Sequence, residues 1–140
     1  MTATVSPTTT TSARTESVPS LWRPGTVAGG LAAVATSVVA AVALAVDVPL
    51  EIAGEPIPLL GFAQMTLVCT LLGVLIAKGA RRWASHPQTA FVRITVALTA
   101  LSLVPDLTAD ATTATIVTLM LTHLVAASIV IPRLAARLAR

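Results

Sequence analysis

Side chains that carry a formal charge are missing from three long stretches of the chain. They are absent between Arg23 and Asp47, between Glu55 and Lys78 and between Asp110 and Arg133, gaps of 23, 22 and 22 residues. A helix needs about 20 apolar residues, rising 1.5 Å each, to cross a hydrocarbon layer about 30 Å thick. The pattern therefore predicts helical spans over 26–46, 59–77 and 111–131. Barrel strands are not expected, because polar and apolar residues do not alternate with period two. A fourth apolar stretch, 89–104, reads TAFVRITVALTALSLV and is interrupted by Arg93. Its sixteen residues rise roughly 24 Å, so as a span it would place Arg93 near one interface with its guanidinium reaching outward. A buried or re-entrant segment is the alternative.

Charge position decides for a crossing. All nine Lys and Arg residues fall in the N-terminal tail (Arg14, Arg23), in the stretch from Lys78 to Arg93, or in the C-terminal tail (Arg133, Arg137, Arg140). Asp47, Glu51 and Glu55 occupy the first remaining connection, and Asp106 and Asp110 the second. Four crossings put every basic residue on one side, whereas three would leave the last arginines with the acids. Basic residues concentrate in cytoplasmic loops, so both termini are expected in the cytoplasm. Trp22 and Trp83 flank spans on that side, where indole prefers the headgroup region.

Composition agrees. The chain of 140 residues is 55% hydrophobic and 11% charged, with mean hydropathy +0.87. A soluble domain is roughly 25% charged, disorder needs far less apolar content, and one cysteine cannot make a disulfide scaffold. The expected fold class is all-α, an integral bundle of four transmembrane helices. It comprises a disordered tail over 1–24, a membrane domain over 25–132 and a basic tail over 133–140. Seven Thr and four Ser in the first 24 residues carry the disorder reading. A signal peptide cleaved after Ala43-Leu44-Ala45 competes with it, but the apolar run is longer than such segments.

Two connections carry local signals. In DVPLEIAGEPIP a β-hairpin lip turning at Ala53-Gly54 competes with an ordinary loop, the simpler reading. In PDLTAD, Pro105 should end the third helix and Asp110 should cap the fourth. Asp106 and Asp110, four apart, are too few ligands for a metal site. The tail PRLAARLAR would continue after Pro132 as a short interfacial helix in which Arg133 and Arg137 attract anionic lipid. Inside the first span small residues recur at Gly29, Ala33, Ser37 and Ala41, with Ala28, Ala32, Thr36 and Ala40 alongside. The second span repeats the rhythm at Gly61, Met65, Cys69 and Gly73. Such faces let helices approach closely, within one bundle or between copies or another membrane protein.

His123 is the leading candidate for chemistry, lying roughly 3 Å past the middle of its span. An ionisable group there is a functional hypothesis by default. Thr99, Ser102 and Thr122 could join it as a ligand-contacting or proton-responsive set. The plainer reading is a neutral imidazole bonded across the bundle, with hydroxyls bonded to their own helices. The stripe Thr95, Thr99, Ser102 continues to Asp106, yet no acid is expected within a span, which argues against proton-coupled export. Cys69 is expected buried and inert. No catalytic motif, metal set or cofactor is indicated, and the basic loop is accounted for by topology, so no nucleic-acid partner is expected.

LSLVPD ending at Asp106, the Thr-rich start of the fourth span, THLVAA around His123 and IVIPRL before the tail carry a resemblance. Over about 25–138 the chain resembles a family of small four-span proteins of unknown function from high-GC Gram-positive bacteria. The resemblance implies a four-span membrane protein and supplies no activity. A structural, interaction or lipid-binding role in the cytoplasmic membrane is the leading expectation, with a small transporter or ligand-binding protein using His123 as the alternative.

Overall fold

The computed structural model describes residues 20–139. Its helices are α1 (Trp22–Ala45), α2 (Leu59–Trp83), α3 (Pro87–Thr108) and α4 (Thr113–Leu138). All four are long and apolar enough to cross a membrane, so the protein is an all-α, multi-pass membrane bundle. Of the expected tail, residues 1–19 lie outside the described residues, while Trp22, Arg23 and Pro24 form the first turn of α1.

Between α1 and α2, strands β1 (Glu51–Ile52) and β2 (Glu55–Pro56) pair antiparallel. The connection is thus a hairpin rather than the loop expected. Ala53 (φ 52°) and Gly54 (φ 80°) form its two-residue turn; positive φ at both positions matches the twist of the strands. Ala53 N–H donates to the Asp110 carbonyl at 2.8 Å, tying this lip to the α3–α4 connection. Thr115 Oγ1 donates to the Pro49 carbonyl and adds a second tie.

Helix ends depart from expectation at two prolines. Pro105 and Pro132 both lie inside helices. Each removes one backbone N–H, a loss that membrane helices tolerate because neighbouring groups compensate. As a result α3 runs on to Thr108 and takes Asp106 inside it. α4 likewise continues without a break through the segment read as a basic tail, and Leu134 there is wholly buried. The cap of α4 is Thr112, whose hydroxyl accepts from Thr115 N–H at 3.2 Å, and not Asp110. Pro87 opens α3, where its missing N–H costs nothing.

α1 packs against α2 and α4, and α3 packs chiefly against α4, with a looser contact to α2. α1 can sit this close because its inner face is small. Its buried seam is the row Ala28, Ala32, Thr36 and Ala40, joined near the start by Gly25, Gly29 and Ala33. Farther along, the Gly29–Ala33 row rotates outward, leaving Ser37 half-buried and Ala41 exposed. A row spaced by four drifts around a helix of 3.6 residues per turn. On α2 the buried row is Phe62, Thr66, Thr70 and Val74, not the row through Met65 and Cys69, both of which are exposed; Gly61 is half-buried and touches only Pro58. Gly73 is buried beside Val130 and Leu134 of α4.

Large side chains such as Val34, Leu60, Leu101 and Val117 point outward. That is the reverse of a soluble protein and is what hydrocarbon as solvent favours. At the basic end, Lys78 Nζ stands 4.9 Å from the centre of the Trp22 ring, a cation–π contact joining the start of α1 to the end of α2. Trp83 is 80% exposed at the same end.

Candidate functional site

The α3–α4 pair is staggered. His123 lies ten residues into α4, roughly 15 Å along it, while Asp106 lies two residues from the end of α3, roughly 3 Å. These residues nonetheless meet: His123 Nδ1 is 2.8 Å from Asp106 Oδ2. α3 therefore stops roughly 12 Å short of the start of α4, and Asp106 sits well inside the layer that α4 crosses. An acid does lie within the helical domain, contrary to expectation. Asp106 is buried, at 8% exposure.

The contact is satisfied in distance but not in direction. Oδ2 receives no hydrogen bond of acceptable angle, and Nδ1 also stands 3.1 Å from the Leu119 carbonyl. That carbonyl is crowded: Thr122 Oγ1 donates to it at 2.7 Å, and helical geometry adds the His123 backbone N–H. It has two lone pairs. The groups that face Nδ1, the Leu119 carbonyl and Asp106 Oδ2, are both oxygens able to accept, so Nδ1 carries the ring proton and Nε2 the lone pair.

His123 also lines a cleft of about 270 Å³ between α2, α3 and α4. α2 contributes Thr66, Cys69 and Thr70, and α3 contributes Thr95, Thr99 and Ser102. The remaining wall is apolar, including Gly73, Phe91 and Val130. Cys69, Leu72 and Leu98, also on its lining, are exposed, so the cleft opens on the outer, lipid-facing side of the bundle. The cleft exists because α2 and α3 are the loosely packed neighbours in the ring.

Hydroxyl protons in the cleft are committed. Thr66 donates to the Phe62 carbonyl at 2.7 Å, Thr70 to Thr66 at 2.8 Å, and Thr95 to Phe91 at 2.8 Å. Thr99 donates to the Thr95 carbonyl at 2.9 Å and Ser102 to that of Thr99 at 2.7 Å. Among the described residues, only Thr66 of these reaches another helix as well, through Thr36 Oγ1 of α1 at 3.0 Å. Ser102, His123 and Asp106 are the residue types of a hydrolytic triad. The bond between nucleophile and base is not made, since Ser102 Oγ turns to its own backbone.

His123, Thr99 and Ser102 therefore share one cleft, and Thr122 does not line it. Asp106, which touches His123 without lining the cleft, is absent from the set expected from the sequence, although the stripe through Thr95, Thr99 and Ser102 points at it. Cys69 is exposed rather than buried. Trp22, Trp83, Arg93, Arg133 and Arg137 are all exposed, away from the cleft, and Arg133 donates to the Ile129 carbonyl at 2.9 Å. Among the described residues no three His, Cys, Asp or Glu side chains gather as a metal site.

No curated protein and no solved structure matches the chain. A family of unknown function, DUF6069, matches residues 16–140, and the chain belongs to that family.

Proposed function

We propose that the protein binds an apolar or amphipathic molecule taken sideways from the bilayer, in the cleft between α2, α3 and α4. The observation that carries this reading is the cleft itself: about 270 Å³, open toward lipid, apolar-walled, with one imidazole and a line of hydroxyls. Its size is near the lower end for small-molecule sites and well above the ~150 Å³ that takes up benzene. The nine-to-none division of basic residues supports an orientation with both termini in the cytoplasm and residence in the cytoplasmic membrane. Anionic lipid at the basic end, where Lys78, Arg82 and Arg137 are exposed, is the partner this charge favours. A second reading, proton-linked movement of the bound molecule, is favoured by the Asp106–His123 pair. Cys69 is the other titratable group on the cleft, and α1 adds no charged side chain between Arg23 and Asp47.

The chain's single cysteine provides the test. In lipid nanodiscs, dodecanol should slow N-ethylmaleimide modification of Cys69 saturably. A cysteine placed at Val38 on the outer face of α1, in a Cys69→Ser chain, should show no such protection. Equal protection at both positions would mean general partitioning into lipid and would end the proposal.

A further inference from the structure

We infer that the cleft selects a molecule whose polar end donates hydrogen bonds, an amphipathic amine or alcohol, over one that only accepts them. This deepens the binding reading above and rests on it. The five cleft hydroxyls of α2 and α3 have each committed their single proton to a backbone carbonyl of their own helix. What a hydroxyl retains after donating is lone pairs. Helix-interior backbone N–H groups are used within the helices. His123 keeps its proton on Nδ1 beside Asp106, leaving Nε2 as an acceptor on a residue that lines the cleft. Among the described residues the Cys69 thiol is the one uncommitted donor there, and a thiol is a weak one. A ketone or ether entering the cleft would surrender its hydration and gain no partner. An ammonium or hydroxyl would find several. Asp106 does not itself line the cleft: 8% exposed and 2.8 Å from Nδ1, it stands behind the imidazole and turns the Nε2 lone pair away from itself.

The experiment compares chains of equal length on the wild-type protein, so that no variant needs to fold. Protection of Cys69 from N-ethylmaleimide is measured in nanodiscs with dodecylamine, 1-dodecanol, 2-dodecanone and dodecyltrimethylammonium, each scaled to its mole fraction in the bilayer. Dodecylamine and dodecanol should protect at about tenfold lower mole fraction than the ketone, the scale of one hydrogen bond. Dodecylamine should also exceed dodecyltrimethylammonium, which has the charge and no donor. If ketone and alcohol protect equally, or the quaternary cation matches the amine, donor selection is wrong and the binding reading stands. If none of the four protects Cys69, both fall.

Discussion

Gly25 and Gly30 lie five residues apart on one helix and on different faces, and the same substitution should act on them in opposite directions. A Cβ at Gly25 would lie 2.4 Å from Cγ2 of Val74 on α2. Carbons rest at about 3.5–4.0 Å, so the methyl arrives more than about 1 Å too close. Val74 cannot swing aside, because a β-branched side chain in a helix holds essentially one rotamer. α1 and α2 must separate, and overpacking of this kind costs about 1–3 kcal/mol. Alanine recovers up to about 1 kcal/mol of helix propensity. At Gly30 nothing lies within 4 Å of the added Cβ, so only the propensity gain applies. Gly25→Ala should therefore unfold more readily than Gly30→Ala by about 1–3 kcal/mol, with Gly30→Ala at or slightly above wild type. Reversible unfolding by SDS in mixed micelles measures this, read from tryptophan fluorescence as Trp22 leaves Lys78. Equal stability of the two variants would refute the close approach of α1 to α2.

Three further outcomes are expected. A double-mutant cycle with Asp106→Asn and His123→Gln should give a coupling of about 1 kcal/mol, within the range of membrane helix pairs; a coupling of zero would dismiss the contact as incidental. Thr112→Ala should cost about 1 kcal/mol in SDS unfolding by removing the cap on Thr115 N–H, and Thr112→Ser should restore it. In a Cys69→Ser chain, an impermeant maleimide added to intact cells should label a cysteine at Glu51 and spare one at Ser85. The opposite labelling would invert the proposed orientation.

The helices were legible because charge is too costly in hydrocarbon to be scattered. The gaps 24–46, 56–77 and 111–132 could hardly be anything else, and the arginines at 133 and 137 forced Arg93 to sit at the foot of a fourth helix. Helix ends were less legible, for a physical reason. Pro105 and Pro132 would be good stop signals in water, where a broken helix hydrates its free carbonyls. In lipid, unwinding exposes more backbone than the proline does, so both helices run on. That difference hid Asp106, which looked like a loop acid. The exposure of Cys69 was hidden differently: rows spaced by four residues drift around a helix, and the neighbouring row through Thr66 and Thr70 took the interface. The cleft could not be read at all, because it depends on how loosely α2 meets α3.

The hydroxyls that bond within their own helices bear on how the chain is made. Thr36 in α1, Thr66 and Thr70 in α2 and Thr118 and Thr122 in α4 each have a carbonyl of their own helix to donate to before any other helix arrives. Asp106 of α3 has no such provision, because its partner His123 is synthesised later, on α4. α3 is also the least apolar of the four, with mean hydropathy 1.6 against 2.2 for each of the others. Released alone, α3 would carry the Asp106 carboxyl into the bilayer without its partner. The chemistry of that one residue makes α3 and α4 a unit of insertion, entering as a hairpin whose second limb supplies what the first lacks.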